Sequence, residues 1–128
     1  MLKQARSVLM CAGLNGGTCV VIGAFAAHAL QHHLDERSMS VLKTGLLYQQ
    51  WHTLVLLFIA VAMRQWPGLA WHWPARLVAT GIGFFSLSLY MLALGMPSWL
   101  GLLTPLGGLF FIGAWLVLFL MAYKARDL

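Results

Sequence analysis

The sequence predicts an all-α membrane protein: one domain over residues 1–128, in which a bundle of four helices crosses a bilayer. Composition is the first reason, because 61% of the residues are hydrophobic and 9% are charged, whereas a soluble domain carries about 25% charged residues. The second is a set of four apolar runs, each close to the ~20 residues that span ~30 Å of hydrocarbon. These runs cover about residues 8–29, 45–63, 77–96 and 105–123. Lipid satisfies no backbone hydrogen bonds, so the runs must be helical.

The first run is rich in small residues. It exceeds the 7–15 residues of a secretory signal core, so we interpret it as a membrane span. Its small residues recur at helical spacing and include a G-x-x-x-G pattern; they are Gly13, Gly16, Gly17, Gly23 and Ala27. Small residues let helix backbones approach closely in lipid. The stripe fits packing within the chain as well as self-association into a homo-oligomer.

The second run is the least hydrophobic, and its polar residues gather on one side. Tyr48, Gln49 and His52 share a helix face through spacings of three and four. The inner half of the run, residues 54–63, is wholly apolar. We expect residues 38–43 of the preceding loop to be helical and to continue into this span.

The third and fourth runs add further polar groups and two glycines. Ser86 and Tyr90 share one face of the third run, and Ser88 lies nearer the opposite face. Thr104 and the proline after it predict an N-cap followed by the first helical position. Gly107 and Gly108 follow within the first turns as helix-packing residues.

The polar groups of the second and third runs are predicted to meet in the outer half of the membrane. At 1.5 Å per residue, His52 lies roughly 18 Å from Arg64, and Tyr90 about 21 Å from Arg76. The candidate binding residues are His28, Tyr48, Gln49, His52, Ser86, Ser88, Tyr90 and Thr104. Two interpretations stay open: an outward-facing polar pocket, or an interhelical hydrogen-bond network.

The basic residues predict the orientation. Six of them flank the runs on one side: Lys3, Arg6, Arg64, Arg76, Lys124 and Arg126. Arg37 and Lys43 fall on the other side, where Asp35 and Glu36 offset them. By the positive-inside rule both termini are cytoplasmic. Trp66, Trp71 and Trp73 are expected to form an interfacial belt on that side.

Several site chemistries find little support. Cys11 and Cys19 form no C-x-x-C pattern, and no carboxylate lies inside any run. His28 and His52 differ in estimated depth by more than about 10 Å, which argues against joint haem ligation. A zinc site built from His28, His32, His33 and Asp35 has no familiar spacing. We therefore expect no metal, no cofactor and no catalytic residue, and we expect membrane lipids rather than nucleic acid as partners.

Four segments carry a family resemblance. They are GAFAAHAL at 23–30, YQQWH at 48–52, FSLSLY at 85–90 and TPLGG at 104–108. Together, and in this order, they resemble signatures of the membrane proteins grouped as domain of unknown function 423, whose eukaryotic relatives are called transmembrane protein 256. The resemblance implies a four-helix bacterial inner-membrane protein and no particular activity. Ala26 and Leu87 stand where the family often has glycine, so close backbone contacts there are expected to be looser.

Three functional hypotheses follow. The first is a non-enzymatic oligomeric bundle that binds a lipid or small amphiphile, or supports a membrane complex. The second is a transporter or permeation protein with an outward-facing polar pocket. The third is a membrane enzyme acting on a lipid or quinone, with His52 as the general base. We expect the non-enzymatic role.

Overall fold

Four long helices make up the fold. The computed structural model describes residues 2–125. The helices are α1 (Leu2–His28), α2 (Glu36–Gln65), α3 (His72–Ala93) and α4 (Leu103–Lys124). Short 3₁₀ turns at Leu30–His32 and Ser98–Leu102 precede α2 and α4. Residues 2–125 contain no strand and four helices that are long and apolar enough to cross a membrane, which confirms the predicted fold class.

Because four helices cross the membrane, the start of α1 and the end of α4 lie on the same side. We call the side on which α1 begins and α4 ends the terminal side. Arg64 at the end of α2 and Arg76 near the start of α3 lie on this side with Lys3 and Arg6. Arg126, which the prediction counts among these basic residues, lies outside the described part of the chain.

Helix α2 begins well before its apolar run. The carboxylate of Asp35 accepts a hydrogen bond from the Ser38 N–H at 2.7 Å and so caps the helix. This backbone hydrogen bond lowers the pKa of Asp35 below its ordinary value. The cap starts α2 at Glu36, so residues 38–43 are helical and continue into the apolar run, as expected.

Helix α1 lies at the edge of the bundle and α2 at its centre. Of the residues in an 18-residue apolar stretch of each helix, only 11% are buried in α1, against 44% in α2. The buried residues of α1 are Ala5, Ala12, Cys19 and Ala26, spaced seven apart. A seven-residue repeat keeps one narrow seam facing a neighbouring helix, and here the neighbour is α2. Most of the remaining surface of α1 is exposed.

Helices α3 and α4 cross at close range. A π-helical turn over Ile82–Ser86 interrupts α3. It places the Phe85 backbone against Gly107 of α4, where a Cβ would lie 2.7 Å from the Phe85 Cα. Gly81 makes room in the same way for the Phe111 ring, whose Cε1 would lie 2.6 Å from a Cβ. Both glycines are therefore required by the packing of the two helices.

Two expectations for individual residues are wrong. Helix α4 begins at Leu103, and Thr104 is not its N-cap; the Thr104 hydroxyl bonds to Ser88 of α3 instead. Trp71 does not face the interface either. Its ring is buried in the core, and its Nε1 donates to the Trp66 carbonyl at 3.0 Å. For Thr104 a partner on another helix replaces the local cap, and for Trp71 packing in the core and a bond within the connecting loop replace the contact with lipid headgroups.

Candidate functional site

The side chain of Gln49 joins three helices. Its amide nitrogen donates to Asn15 Oδ1 at 3.2 Å and to Thr18 Oγ1 at 3.0 Å, both on α1. Its amide oxygen accepts from the Tyr90 hydroxyl of α3 at 2.6 Å. Gln49 itself is 4% exposed. These four residues form what we call the Gln49 network, in which one side chain of α2 links both α1 and α3 to that helix.

The imidazole of His52 is enclosed by aromatic rings. It stacks on Phe111 of α4 with ring centroids 3.6 Å apart and an interplanar angle of 13°. Tyr48 lies one turn away on α2, its ring 6.2 Å from the imidazole and 4.5 Å from the Phe85 ring. We call these residues, together with Trp115, the His52 stack.

Both nitrogens of the His52 ring have partners. The Tyr48 carbonyl lies 2.7 Å from Nδ1, and because a carbonyl only accepts, Nδ1 carries the proton. The other nitrogen, Nε2, is then an acceptor, and the indole N–H of Trp115 donates to it at 3.4 Å. The ring is thus a neutral imidazole of defined tautomer, in contact with protein groups on both edges.

The serines of α3 make two separate links to its neighbours. Ser86 donates to the Gly45 carbonyl of α2 at 2.8 Å. Ser88 lies 2.6 Å from the Thr104 hydroxyl of α4 and also donates to the Phe85 carbonyl. Each serine is 1% exposed. The two hydroxyls point to different helices, in keeping with the opposite faces predicted for them.

The predicted polar residues are brought together in groups rather than around one space. Gln49 pairs with Tyr90, Ser88 pairs with Thr104, and Tyr48 lies beside His52. His28 is exposed in the last turn of α1, and no hydrogen bond within residues 2–125 joins it to the other seven. Every buried side-chain nitrogen and oxygen among the described residues has a hydrogen-bond partner. The buried polar groups are therefore already engaged with protein atoms, whereas His28 and Tyr48 are exposed.

Sequence reasoning left four important partners out of the candidate set. Asn15 and Thr18 are polar residues three apart in an otherwise apolar run, which was the available signal. Nothing in the separate runs indicated that they face Gln49. Phe111 and Trp115 carried no polar signal, and aromatic residues in a membrane span face lipid as readily as protein.

The predicted helix-packing residues divide into two classes. Gly16 and Gly23 face α2, where a Cβ would lie 3.7 Å from Thr53 and 3.6 Å from Leu46. Gly107 packs against the Phe85 backbone, and a Cβ on Gly108 would lie 3.9 Å from the ring of the same residue. The other three packing residues lie on the exposed surface of α1; they are Gly13, Gly17 and Ala27. A Cβ added to either of the two exposed glycines would meet no described atom within 4 Å.

Comparison with known proteins gives a consistent result. A family model described as "Protein of unknown function (DUF423)" matches residues 22–108. The chain is 35% identical over 122 residues to the UPF0382 inner membrane protein YgdD of Escherichia coli K12, which covers 95% of this chain and 93% of that protein. It is 39% identical over 115 residues to the UPF0382 membrane protein SH2409 of Staphylococcus haemolyticus, with 90% of each chain covered. A UPF0382 membrane protein of Haemophilus influenzae is 38% identical over 116 residues, covering 90% of this chain and 92% of its own. No solved structure matches the chain.

Proposed function

The chain belongs to the DUF423 family of membrane proteins, and we propose that it acts without catalysis, as a helical bundle that associates with a second copy of itself through α1. The observation that carries this proposal is the exposed glycine pair of α1. Gly13 and Gly17 occupy adjacent turns, and nothing in the described chain packs on them. Helix association in lipid depends on such small residues, because they let two backbones approach.

The packing of α1 supports this proposal further. The helix contacts α2 along the small residues that recur every seven positions, and most of the rest of its surface is exposed. The Gln49 network attaches it to α2 through Asn15 and Thr18. A helix anchored along one narrow seam keeps its other faces available for a partner helix. The glycines of the seam side, Gly16 and Gly23, already serve the contact within the chain.

The polar residues favour a structural role over an enzymatic one. A histidine that acts as a general base needs one ring nitrogen within hydrogen-bond reach of the substrate proton that it removes. In His52, Nδ1 is bonded to its own helix and Nε2 faces the Trp115 indole. The hydroxyl of Tyr90 is likewise engaged with Gln49. The same engagement gives no support to the permeation hypothesis, which needs free polar groups along a wet path.

The proposed orientation places both termini in the cytoplasm. Lys3, Arg6, Arg64 and Arg76 flank the helices on the terminal side, and positive residues are retained on the cytoplasmic side of bacterial membranes. On the opposite side, the positive charges of Arg37 and Lys43 are accompanied by Asp35 and Glu36. We propose the inner membrane as the location, in agreement with the name of the Escherichia coli relative.

Energy transfer between labelled copies tests the association. Donor- and acceptor-tagged chains are co-reconstituted in vesicles at varying protein-to-lipid ratios, with Gly13→Leu/Gly17→Leu as the test variant. Both positions are exposed and an added Cβ meets no described atom within 4 Å, so we expect leucine to be accommodated there without disturbing the fold. We expect the wild type to show energy transfer that persists on dilution, and the double variant to lose it.

Gly83→Leu is the matched control. Gly83 lies in α3, is exposed, and has no described atom within 4 Å of an added Cβ. This variant should retain the energy transfer of the wild type. A wild type that shows no more transfer than a monomeric membrane protein, or a double variant that keeps it in full, would contradict self-association through α1.

A further inference from the structure

A groove opens between α1 and α2 at the terminal side of the bundle. Its volume is about 530 Å³, and its lining includes the side chains of Arg6 and Arg64. The floor exists because alanines occupy the helix contact: Ala5 of α1 and Ala60 of α2 are 5% and 4% exposed. Larger side chains at these two positions would fill the space.

On each helix the wall of the groove changes from an apolar residue to an arginine within about one helical turn, and Leu2 and Gln65 lie at the two helix ends beyond the arginines. Leu9 and Val61, which lie farther from the terminal side than the two arginines, are apolar and exposed. Arg6 and Arg64 lie closer to the helix ends and are also exposed. This gradient matches the order of groups in a phospholipid, whose acyl chains lie below a charged headgroup.

The charge at this end of the bundle is positive. Lys3 of α1 and Arg76 of α3 also lie near helix ends on the terminal side, as do Arg6 and Arg64. Of the three acidic residues in the sequence, Asp35 and Glu36 lie at the opposite end of α2, and Asp127 lies outside the described residues. The guanidinium group is planar and binds phosphate oxygens through paired hydrogen bonds, and two arginines on neighbouring helices suit one phosphate group.

We propose that the groove between α1 and α2 binds an anionic phospholipid from the leaflet on the terminal side, with its phosphate held by Arg6 and Arg64 and an acyl chain along Leu9 and Val61. Basic pockets between transmembrane helices on the cytoplasmic side are suited to such headgroups. The orientation proposed above makes this the cytoplasmic leaflet. The site does not depend on self-association, which is proposed to involve Gly13 and Gly17, farther from the terminal side of α1.

The face of α1 that lines the groove continues beyond it to the exposed Gly13. Arg6, Leu9 and Gly13 follow one another at spacings of three and four, so they lie on one face of α1. An acyl chain that starts at Leu9 reaches the smooth surface of Gly13 next. A lipid in this groove would therefore lie at the base of the face that the second copy is proposed to contact.

Lipid retention in native mass spectrometry tests the site. The purified full chain is incubated in detergent with phosphatidylglycerol or phosphatidylcholine, and bound lipid is counted for the wild type and for Arg6→Gln/Arg64→Gln. We expect the wild type to retain phosphatidylglycerol in preference to phosphatidylcholine. Replacing both arginines should lower the affinity for phosphatidylglycerol about thirtyfold, because each basic residue near a lipid phosphate contributes to binding. Detergent avoids any effect of these charges on membrane insertion.

Lys3→Gln/Arg76→Gln is the matched control, because it removes the same charge from the same side. These two residues line a smaller groove of about 240 Å³ on another side of α1. The control should keep phosphatidylglycerol binding within about twofold of the wild type. Equal losses in both double variants would overturn the proposal in favour of a diffuse surface charge, and no loss in the arginine variant would overturn it outright.

Free phosphate separates a lipid site from an ion site. Competition by millimolar inorganic phosphate that removes all discrimination between the two lipids would show an ion site and overturn the proposal. Retention of phosphatidylglycerol under these conditions supports binding of headgroup and chain together. None of these outcomes depends on energy transfer between copies, so failure of the lipid site and failure of self-association are distinguishable.

Discussion

Replacing Gln49 by methionine tests whether the polar residues between the helices stabilise the bundle. The substitution keeps the length of the side chain and removes three hydrogen bonds, two to α1 and one from Tyr90. Side-chain hydrogen bonds between membrane helices contribute about 0.6 kcal/mol each on average. We therefore expect Gln49→Met to lower the free energy of unfolding by about 2 kcal/mol.

Unfolding in mixed micelles measures this loss. The fraction unfolded is followed by tryptophan fluorescence as the mole fraction of sodium dodecyl sulfate rises, and the free energy is extrapolated to zero sulfate. A double-mutant cycle with Tyr90→Phe isolates the shortest of the three bonds, at 2.6 Å. Its coupling energy should be about 0.6 kcal/mol, with an upper limit near 1.7 kcal/mol.

The adjacent residue provides the control. Gln50 is exposed on α2, and its side chain makes no hydrogen bond to the described residues, so Gln50→Met should leave the free energy of unfolding unchanged or slightly raised. The reasoning is refuted if Gln49→Met costs less than about 0.5 kcal/mol, or if both substitutions cost the same. Either result would mean that the Gln49 network does not hold α1 on the bundle.

Three further predictions concern the packing, the helix cap and the orientation. Gly107→Ala should destabilise the bundle by about 2 kcal/mol or more in the same titration, because the new methyl group meets the Phe85 backbone, which has little freedom to move; Gly83→Ala, with no described atom within 4 Å, should not. The Asp35 cap should weaken on acidification: its pKa is lowered in the folded chain, so its stabilisation is complete above about pH 4 and is lost as the pH falls through the lower folded value. The protection of the Ser38 amide, taken as its exchange rate relative to the intrinsic rate at the same pH, should then fall, whereas Asp35→Ala should show low protection at all pH values. Alkaline phosphatase fused after the last residue should be inactive in a bacterial host and green fluorescent protein fused there should fluoresce; the opposite pattern would contradict cytoplasmic termini.

The sequence by itself determined the number, type and approximate place of the helices. Apolar runs of about twenty residues can only be helices in lipid, so composition and run length were sufficient. The sequence also led us to expect a helix over residues 38–43, but it did not identify the Asp35 cap that begins α2. Two local expectations failed, because the Thr104 hydroxyl has a partner on another helix and the Trp71 ring is buried in the core.

The tertiary structure alone decided which side chains meet. In water, hydrophobic periodicity identifies the buried face of a helix, but lipid is as apolar as a protein core, so the pattern of a membrane span says little about its neighbours. Gln49 therefore pairs with Asn15, and His52 stacks on Phe111, for reasons of helix rotation and tilt that no single run contains. For the same reason only the packed helices distinguish Gly16, which faces α2, from Gly17, which faces outward.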